Sequence, residues 1–230
     1  MINTRFKHLF IMTNDSNKAI RNKILNSAES LFAQHGFAGA TLRQITQAAK
    51  VNLAAVNYHF GEKETLFGEV LLRRLRPINE SRLVGLQDAE RFAGPAPAPL
   101  ATIIEVLVGP LFVLGHDRTD SGPHALRIIG RCLTEPQPFM ADLLAREFHP
   151  TMARFGQAIR RHVPALNPED FLWRLSFVMG ALHHTLATMH TMNALTRGIC
   201  RSDDHAGAQR RFIQFAVGTF TAPAVSGENK

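Results

Sequence analysis

Apolar residues recur along this chain three and four positions apart, and no stretch alternates apolar and polar residues as a half-buried strand requires. The pattern predicts an all-α protein. Ile20, Ile24, Leu25, Ala28, Leu31 and Phe32 mark one face of a helix over residues 17–34, which Gly36 ends and Phe37 follows as the apolar contact of a left-handed cap. Thr41 opens a second helix with Gln44 three residues on, the spacing of a capping box, and Leu42, Ile45 and Ala49 form its buried face. After Lys50-Val51-Asn52, the Asn52 amide caps a third helix over residues 53–60, with Val56 and Phe60 spaced to face inward. Two short helices on a three-residue turn, braced by a longer preceding helix, constitute a helix-turn-helix.

A fourth helix begins near Glu62 and runs through Leu66, Phe67, Val70, Leu71 and Leu75 to end before Pro77. Gly94-Pro95-Ala96-Pro97-Ala98-Pro99 reads as a loop. Beyond it Leu100, Ile103, Ile104, Leu107, Val108 and Leu111 predict a buried helix kinked at Pro110, followed by a loop over residues 116–123. The remainder divides into helices over residues 125–134, 138–162 (bent at Pro150), 168–195 and 205–220. Leu172, Leu175, Val178, Met179, Leu182 and Leu186, with Phe212, Phe215, Ala216 and Phe220, offer more apolar surface than one neighbour covers. They suit the four-helix interface of a homodimer, with an ordinary monomeric core as the alternative.

Composition narrows the class. Cys132 and Cys200 are too few for a disulfide framework and have no zinc-site spacing, which points to the cytoplasm. The longest apolar stretch, residues 100–115, contains Glu105 and Pro110 and is shorter than the roughly 20 residues that cross a bilayer. No membrane association is expected. The run His8-Leu9-Phe10-Ile11-Met12 is shorter than a secretory core of about 7–15 apolar residues, so residues 1–16 read as a mobile arm. Net charge is +7, and residues 1–76 hold 11 Lys/Arg against 5 Asp/Glu, whereas residues 77–230 hold 15 against 14. Nearly all the excess lies in the first third, as in a polyanion-binding head on a body with another task; ordinary surface scatter is the bland alternative.

The segment Asn52-Leu53-Ala54-Ala55-Val56-Asn57-Tyr58-His59-Phe60 suits a helix in the major groove. Asn57 can pair with adenine or hold a phosphate, Ala54 or Ala55 can meet a thymine methyl, and Tyr58 and His59 offer donors to phosphate. Lys63 adds charge to the free N–H groups of a helix terminus, and Thr41 sits at another. For each residue taken alone, a solvated side chain remains the competing reading.

Thr41-Leu42-Arg43-Gln44-Ile45, Ala48-Ala49, Val51, Tyr58-His59-Phe60-Gly61 and Lys63-Glu64-Thr65-Leu66, with Ala28, Leu31, Phe32, Gly36 and Phe37, resemble the signature of the TetR family over about fifty residues. The resemblance implies double-stranded DNA as partner, with Thr41, Arg43, Asn52, Leu53, Ala54, Ala55, Asn57, Tyr58, His59 and Lys63 as the DNA-binding set. Two positions depart from the common pattern. Lys50 stands where the turn usually has Gly, so a non-Gly residue must take φ > 0. Asn57 stands where a phosphate-binding Tyr is common, which passes that role to Tyr58. Residues 51–60 are also similar to the PsrA-like branch, associated with fatty-acid ligands.

The resemblance further implies four regions: a flexible arm (1–16), a helix-turn-helix DNA-binding domain (17–62), a helical ligand-binding and dimerisation domain (63–222) and a flexible tail (223–230). Phe112, Phe148, Met152, Phe155, Trp173, Phe177 and Met189 are candidates to line an apolar cavity beside the Pro110 kink and the gaps at Gly156 and Gly180. Arg127, Arg131 and His183 are candidates to orient a carboxylate; plain core and solvated Arg are the alternatives. His183, His184 and His190 lack a local Cys or paired carboxylate, so no metal is expected. No cofactor or catalytic motif is found, and enzyme activity is not expected. The leading reading is a homodimeric repressor of a palindromic operator, released by a small effector such as a fatty acid or acyl-CoA. A small-molecule or acyl-chain binding protein without specific DNA binding is the second, kept open by Lys50 and Asn57.

Overall fold

The computed structural model of the chain describes residues 3–116, 121–135, 137–201 and 203–224. Residues 1–2 of the expected arm, 117–120 of the expected loop and 225–230 of the expected tail lie outside the described residues, as does the His190 side chain. The elements are α1 (Asn3–Gly39), α2 (Leu42–Ala49), α3 (Leu53–Phe60), α4 (Lys63–Ala93), α5 (Leu100–His116), α6 (Ser121–Thr134), α7 (Pro138–Arg160), α8 (Pro168–Leu195) and α9 (His205–Thr221). The described residues contain no strand.

The chain divides into two compact units, the first comprising residues 1–74 and 127–141 and the second residues 75–126 and 142–230. This differs from a boundary at residue 63: the first turns of α4 and the segment 127–141 group with the helix-turn-helix. The reason is apolar burial. Leu66, Phe67, Val70 and Leu71 of α4 are buried in the first unit together with Ile24, Ala28, Phe32, Ile45, Val56 and Phe60. The Phe67 ring meets Phe32 edge-on at 4.8 Å and Phe37 at 5.4 Å, while Phe139 lies 4.8 Å from Phe37. Glu29, nearly inaccessible in this core, accepts from Arg73 at 2.7 Å and from Nη2 of Arg74 at 2.6 Å, tying α1 to α4.

Three helix boundaries need correction, one of them at α6, which starts at Ser121 inside the segment read as a loop and four residues before the expected start. α1 starts at Asn3 and not near Asn17, so the segment read as an arm is helical backbone; residues 3–16 carry neither Gly nor Pro, the two strongest helix breakers. At its other end Gly36 breaks the helix where the sequence places the break, but with φ 69° and ψ −179° and not as the expected left-handed cap, and one more turn follows to Gly39. A Cβ at Gly36 would also stand 2.5 Å from the Arg131 guanidinium, a second reason for Gly there. α4, in turn, does not end at Pro77 but continues to Ala93. A proline removes a single N–H. Against that loss, Ile78 and Leu86 are buried beyond it, and Asn79 donates to the Glu147 carbonyl at 3.0 Å.

In the second unit α5 buries Leu100, Ile103, Ile104, Leu107, Val108, Leu111 and Phe112, the stripe read from the sequence plus one ring. Phe112 meets Phe212 of α9 at 6.0 Å, and Phe171 of α8 meets Phe220 at 5.8 Å. Arg174, buried on α8, donates to the carbonyls of Thr219 (3.0 Å), Phe220 (2.9 Å), Ala222 (2.7 Å) and Pro223 (2.7 Å). It thereby satisfies the carbonyls that the end of α9 leaves open and complements the helix dipole there.

Candidate nucleic-acid interface and effector site

Thr41, with extended backbone, accepts at Oγ1 from the Gln44 N–H (3.2 Å), while Gln44 Oε1 accepts from the Thr41 N–H (2.8 Å), so the capping box forms. α2 then ends in a left-handed turn at Lys50 (φ 55°, ψ 48°), closed by the Val51 N–H donating to the Thr46 carbonyl at 3.0 Å. That six-to-one bond is the mark of a Schellman motif, here made without glycine. Asn52 Oδ1 accepts from the Ala55 N–H at 2.8 Å and starts α3. α3 ends at Gly61, whose N–H still donates to the Asn57 carbonyl at 2.9 Å and whose φ of 68° then turns the chain out of the helix.

These caps decide which side chains face outward. Val56 and Phe60, one turn apart, are buried, so the opposite face of α3 presents Leu53, Ala54, Asn57 and Tyr58 to solvent. Tyr58 is 77% exposed, and among the described residues its ring meets only that of its neighbour His59, edge-on at 5.0 Å. Thr41, Arg43 and Asn52 are exposed as well; Ala55, His59 and Lys63 are half-buried. Lys63 Nζ lies 4.5 Å from the centre of the Phe37 ring, and partial burial lowers its pKa against the opposing pull of Glu64. All ten proposed DNA-binding residues therefore belong to one unit, on α2, α3 and the first turn of α4. Chemically the surface offers amide, hydroxyl, imidazole and cationic donors around small apolar side chains, the set a groove-reading helix needs.

The expected effector residues are distributed differently. Trp173 and Phe177, read as cavity lining, stack on each other at 5.7 Å with 57% and 58% of their surfaces exposed. Arg127 and Arg131 fall in the first unit, where Arg127 is exposed and Arg131 bonds Glu135 and the Gln34 carbonyl. Helical periodicity gives the facing of a residue on its own helix but not which helix covers it, so the sequence alone does not place these four relative to one another. Phe112 and Phe155 are buried core; Phe148, Met152 and Met189 are half-buried.

His183 alone among the three headgroup candidates sits inside the second unit. Its Nδ1 lies 2.7 Å from the Met179 carbonyl, Nε2 is buried without a partner among the described residues, and burial lowers its pKa. Arg82, which sequence reading missed, is the largest fully buried side chain described. Its signal was present: Arg82 stands four residues from both Ile78 and Leu86, on the buried stripe of α4. Among the described residues no three His, Cys, Asp or Glu side chains group to hold a metal, and no helix is long and apolar enough to cross a membrane.

Residues 24–70 match the bacterial regulatory proteins of the tetR family, and residues 105–219 match the tetracyclin repressor-like C-terminal domain. The chain is 35% identical over 91 residues to the HTH-type transcriptional repressor AcnR of Corynebacterium efficiens, covering 36% of this chain and 48% of that protein. It is 24% identical over 137 residues to the HTH-type transcriptional regulator UidR of Escherichia coli, covering 59% and 61%. The chain thus spans about half the length of the AcnR relatives it matches. The fatty acid degradation regulator FadR of Bacillus halodurans superposes with a TM-score of 0.62 at 16% identity over 86% of this chain and 94% of that one. The TetR family regulator PfmR of Thermus thermophilus superposes at 0.55 and 18% identity, over 84% and 96%. At such identities the superpositions show a shared fold. With both domain matches and the capped helix-turn-helix in register, the chain belongs to the TetR family of bacterial regulatory proteins.

Proposed function

We propose that this protein is a cytoplasmic transcriptional repressor that binds a palindromic operator as a homodimer and is released by a small effector held in its second unit. The observation that carries the reading is the capped α2–α3 pair, whose outward face gathers Asn57, Tyr58, Arg43 and Thr41 above a fully apolar inner face. In a dimer, two copies of α3 enter successive major grooves about 34–36 Å apart. Leu172, Trp173 and Phe177 on α8 and Phe215 on α9 are exposed and supply the apolar surface that a second copy would cover. An effector acts by preferring a conformation whose spacing does not fit the operator. The names of AcnR and FadR, a repressor and a regulator of fatty acid degradation, agree with repression and with an acyl effector.

The test is a gel shift with duplex DNA from upstream of the gene, run from 50 to 200 mM salt. Six to ten phosphate contacts predict a loss of roughly 10³–10⁵ in affinity across that range. Lys63→Ala should weaken all duplexes alike, and Asn57→Ala should relax preference at particular base pairs, each such pair carrying about 1–3 kcal/mol. Binding indifferent to salt and to both substitutions would falsify the reading.

A further inference from the structure

The exposed side chains of α3 are narrow in their chemistry. Leu53, Ala54, Asn57 and Tyr58 are exposed, Ala55 and His59 are half-buried, and Val56 and Phe60 are buried. Residues 53–60 include no Arg, Lys, Gln, Asp or Glu. In the major groove Arg and Lys pair with guanine, and Asp and Glu accept from cytosine. α3 holds none of these. His59 sits in the last turn between the rings of Tyr58 (5.0 Å) and Phe60 (6.1 Å), whereas a recognition helix reads base edges with its N-terminal residues. The exposed guanidinium of Arg43 stands on α2, the helix that crosses the DNA backbone in this motif, and Lys50 stands in the turn.

What α3 does present suits the other base pair. Leu53, its first residue, is 51% exposed, and Ala54 beside it is exposed. The thymine 5-methyl is the apolar group of the major groove, and covering it with such side chains removes apolar surface from water. The fold also separates Ala54 from Ala55, since only Ala54 is exposed. Among the amides, Asn52 Oδ1 accepts from the Ala55 N–H and Gln44 Oε1 from the Thr41 N–H, so both are engaged in caps. Asn57 contributes only its backbone carbonyl to the end of α3, and its exposed amide is left to meet a base.

We infer that the base pairs under α3 in each operator half-site are A·T pairs, with thymine 5-methyl groups against Leu53 and Ala54 and an adenine bonded through N6 and N7 to the Asn57 amide. A G·C pair at these steps offers Leu53 and Ala54 no methyl. It also sets the Asn57 carbonyl oxygen or amide against N7 and O6 of guanine, two acceptors where the amide needs one donor and one acceptor. The inference rests on reading α2–α3 as the DNA-binding surface and names the sequence class of the duplex that surface selects.

The experiment starts with the full chain and a pool of random-sequence duplexes, from which repeated selection should enrich a palindrome with A·T pairs in the centre of each half-site. The enriched duplex is then rebuilt with deoxyuridine for thymine, one symmetric pair of positions at a time, which removes the methyl and keeps the base pairing. A buried methyl contributes about fourfold in affinity, so the contacted position, present in both half-sites, should show a loss of roughly 15-fold in wild type. Leu53→Ala, at an exposed side chain, should retain thermal melting and reduce that loss to less than about threefold, which a general change in DNA stiffness would not do. The inference is overturned by enriched half-sites with G·C centres, by deoxyuridine losses below about threefold at every position in wild type, or by an undiminished loss in Leu53→Ala. Each of those results comes from a duplex that the protein selects, so the repressor reading survives them. A pool from which no sequence is enriched overturns both.

Discussion

Replacing Glu29 tests the ion pair that holds the first unit's α1 against α4. The carboxylate is 4% exposed and accepts three charge-assisted bonds: from Arg73 Nη2 at 2.7 Å, and from Arg74 Nε at 2.9 Å and Nη2 at 2.6 Å. Bonds of this kind contribute about 1.5–3 kcal/mol each, and removing one member of a buried pair costs about 3–5 kcal/mol because the remaining charge is stranded. Here the stranding is partial. The Arg73 and Arg74 side chains are 31% and 25% exposed and can recover water when the carboxylate is gone. A loss of roughly 3 kcal/mol is therefore expected for Glu29→Ala, and about half that for Glu29→Gln, which keeps the acceptor oxygen without its charge. In a cooperative chain of this length about 3 kcal/mol corresponds to a fall of roughly 6–12 °C in Tm. Urea unfolding followed by circular dichroism measures it. A loss below about 1 kcal/mol for Glu29→Ala would refute the account, since the pair would then be behaving as an exposed surface salt bridge.

Three further outcomes follow from the same geometry. Lys50 holds φ 55° in the turn, so Lys50→Gly should raise stability by up to about 1 kcal/mol, with the greater entropy of unfolded glycine limiting the gain, and Lys50→Val should lower it; a destabilising Gly would show the turn to be unstrained. Burial pushes the Cys132 thiol up to about 12, whereas Cys200 is exposed, so iodoacetamide at pH 8 should alkylate one thiol per native chain and reach Cys132 only on unfolding. Burial lowers the His183 pKa in the folded chain, so below about 6.5 the unfolded state binds the extra proton and stability falls as pH drops. Urea titrations at pH 7 and pH 5 should show a smaller fall for His183→Leu than for wild type, and an equal fall would remove the His183 contribution.

Local chemistry made much of this protein legible in its sequence. The Thr41–Gln44 box, the Asn52 cap, the Gly36 break and the Val56/Phe60 spacing each depend on residues within a turn of one another, and each is present in the fold. Those short-range terms determine which side chains α3 turns outward, and with them the candidate DNA surface. The span Pro168–Leu195 was legible for the same reason: Asn167 caps it at 2.8 Å to Asp170, and proline is tolerated in a first turn. Pro77 failed as a stop because one missing N–H is a local loss, whereas the burial of Ile78, Arg82 and Leu86 comes from chain distant in sequence. The effector side was decided in the same way. Nothing near Trp173 or Phe177 tells whether another helix covers them, and nothing near Arg82 says that its guanidinium meets the Leu107 carbonyl 25 residues on. Periodicity determines which side of a helix is apolar; only tertiary packing decides which charges that side takes out of water, because burial is set by neighbours that arrive from elsewhere in the chain.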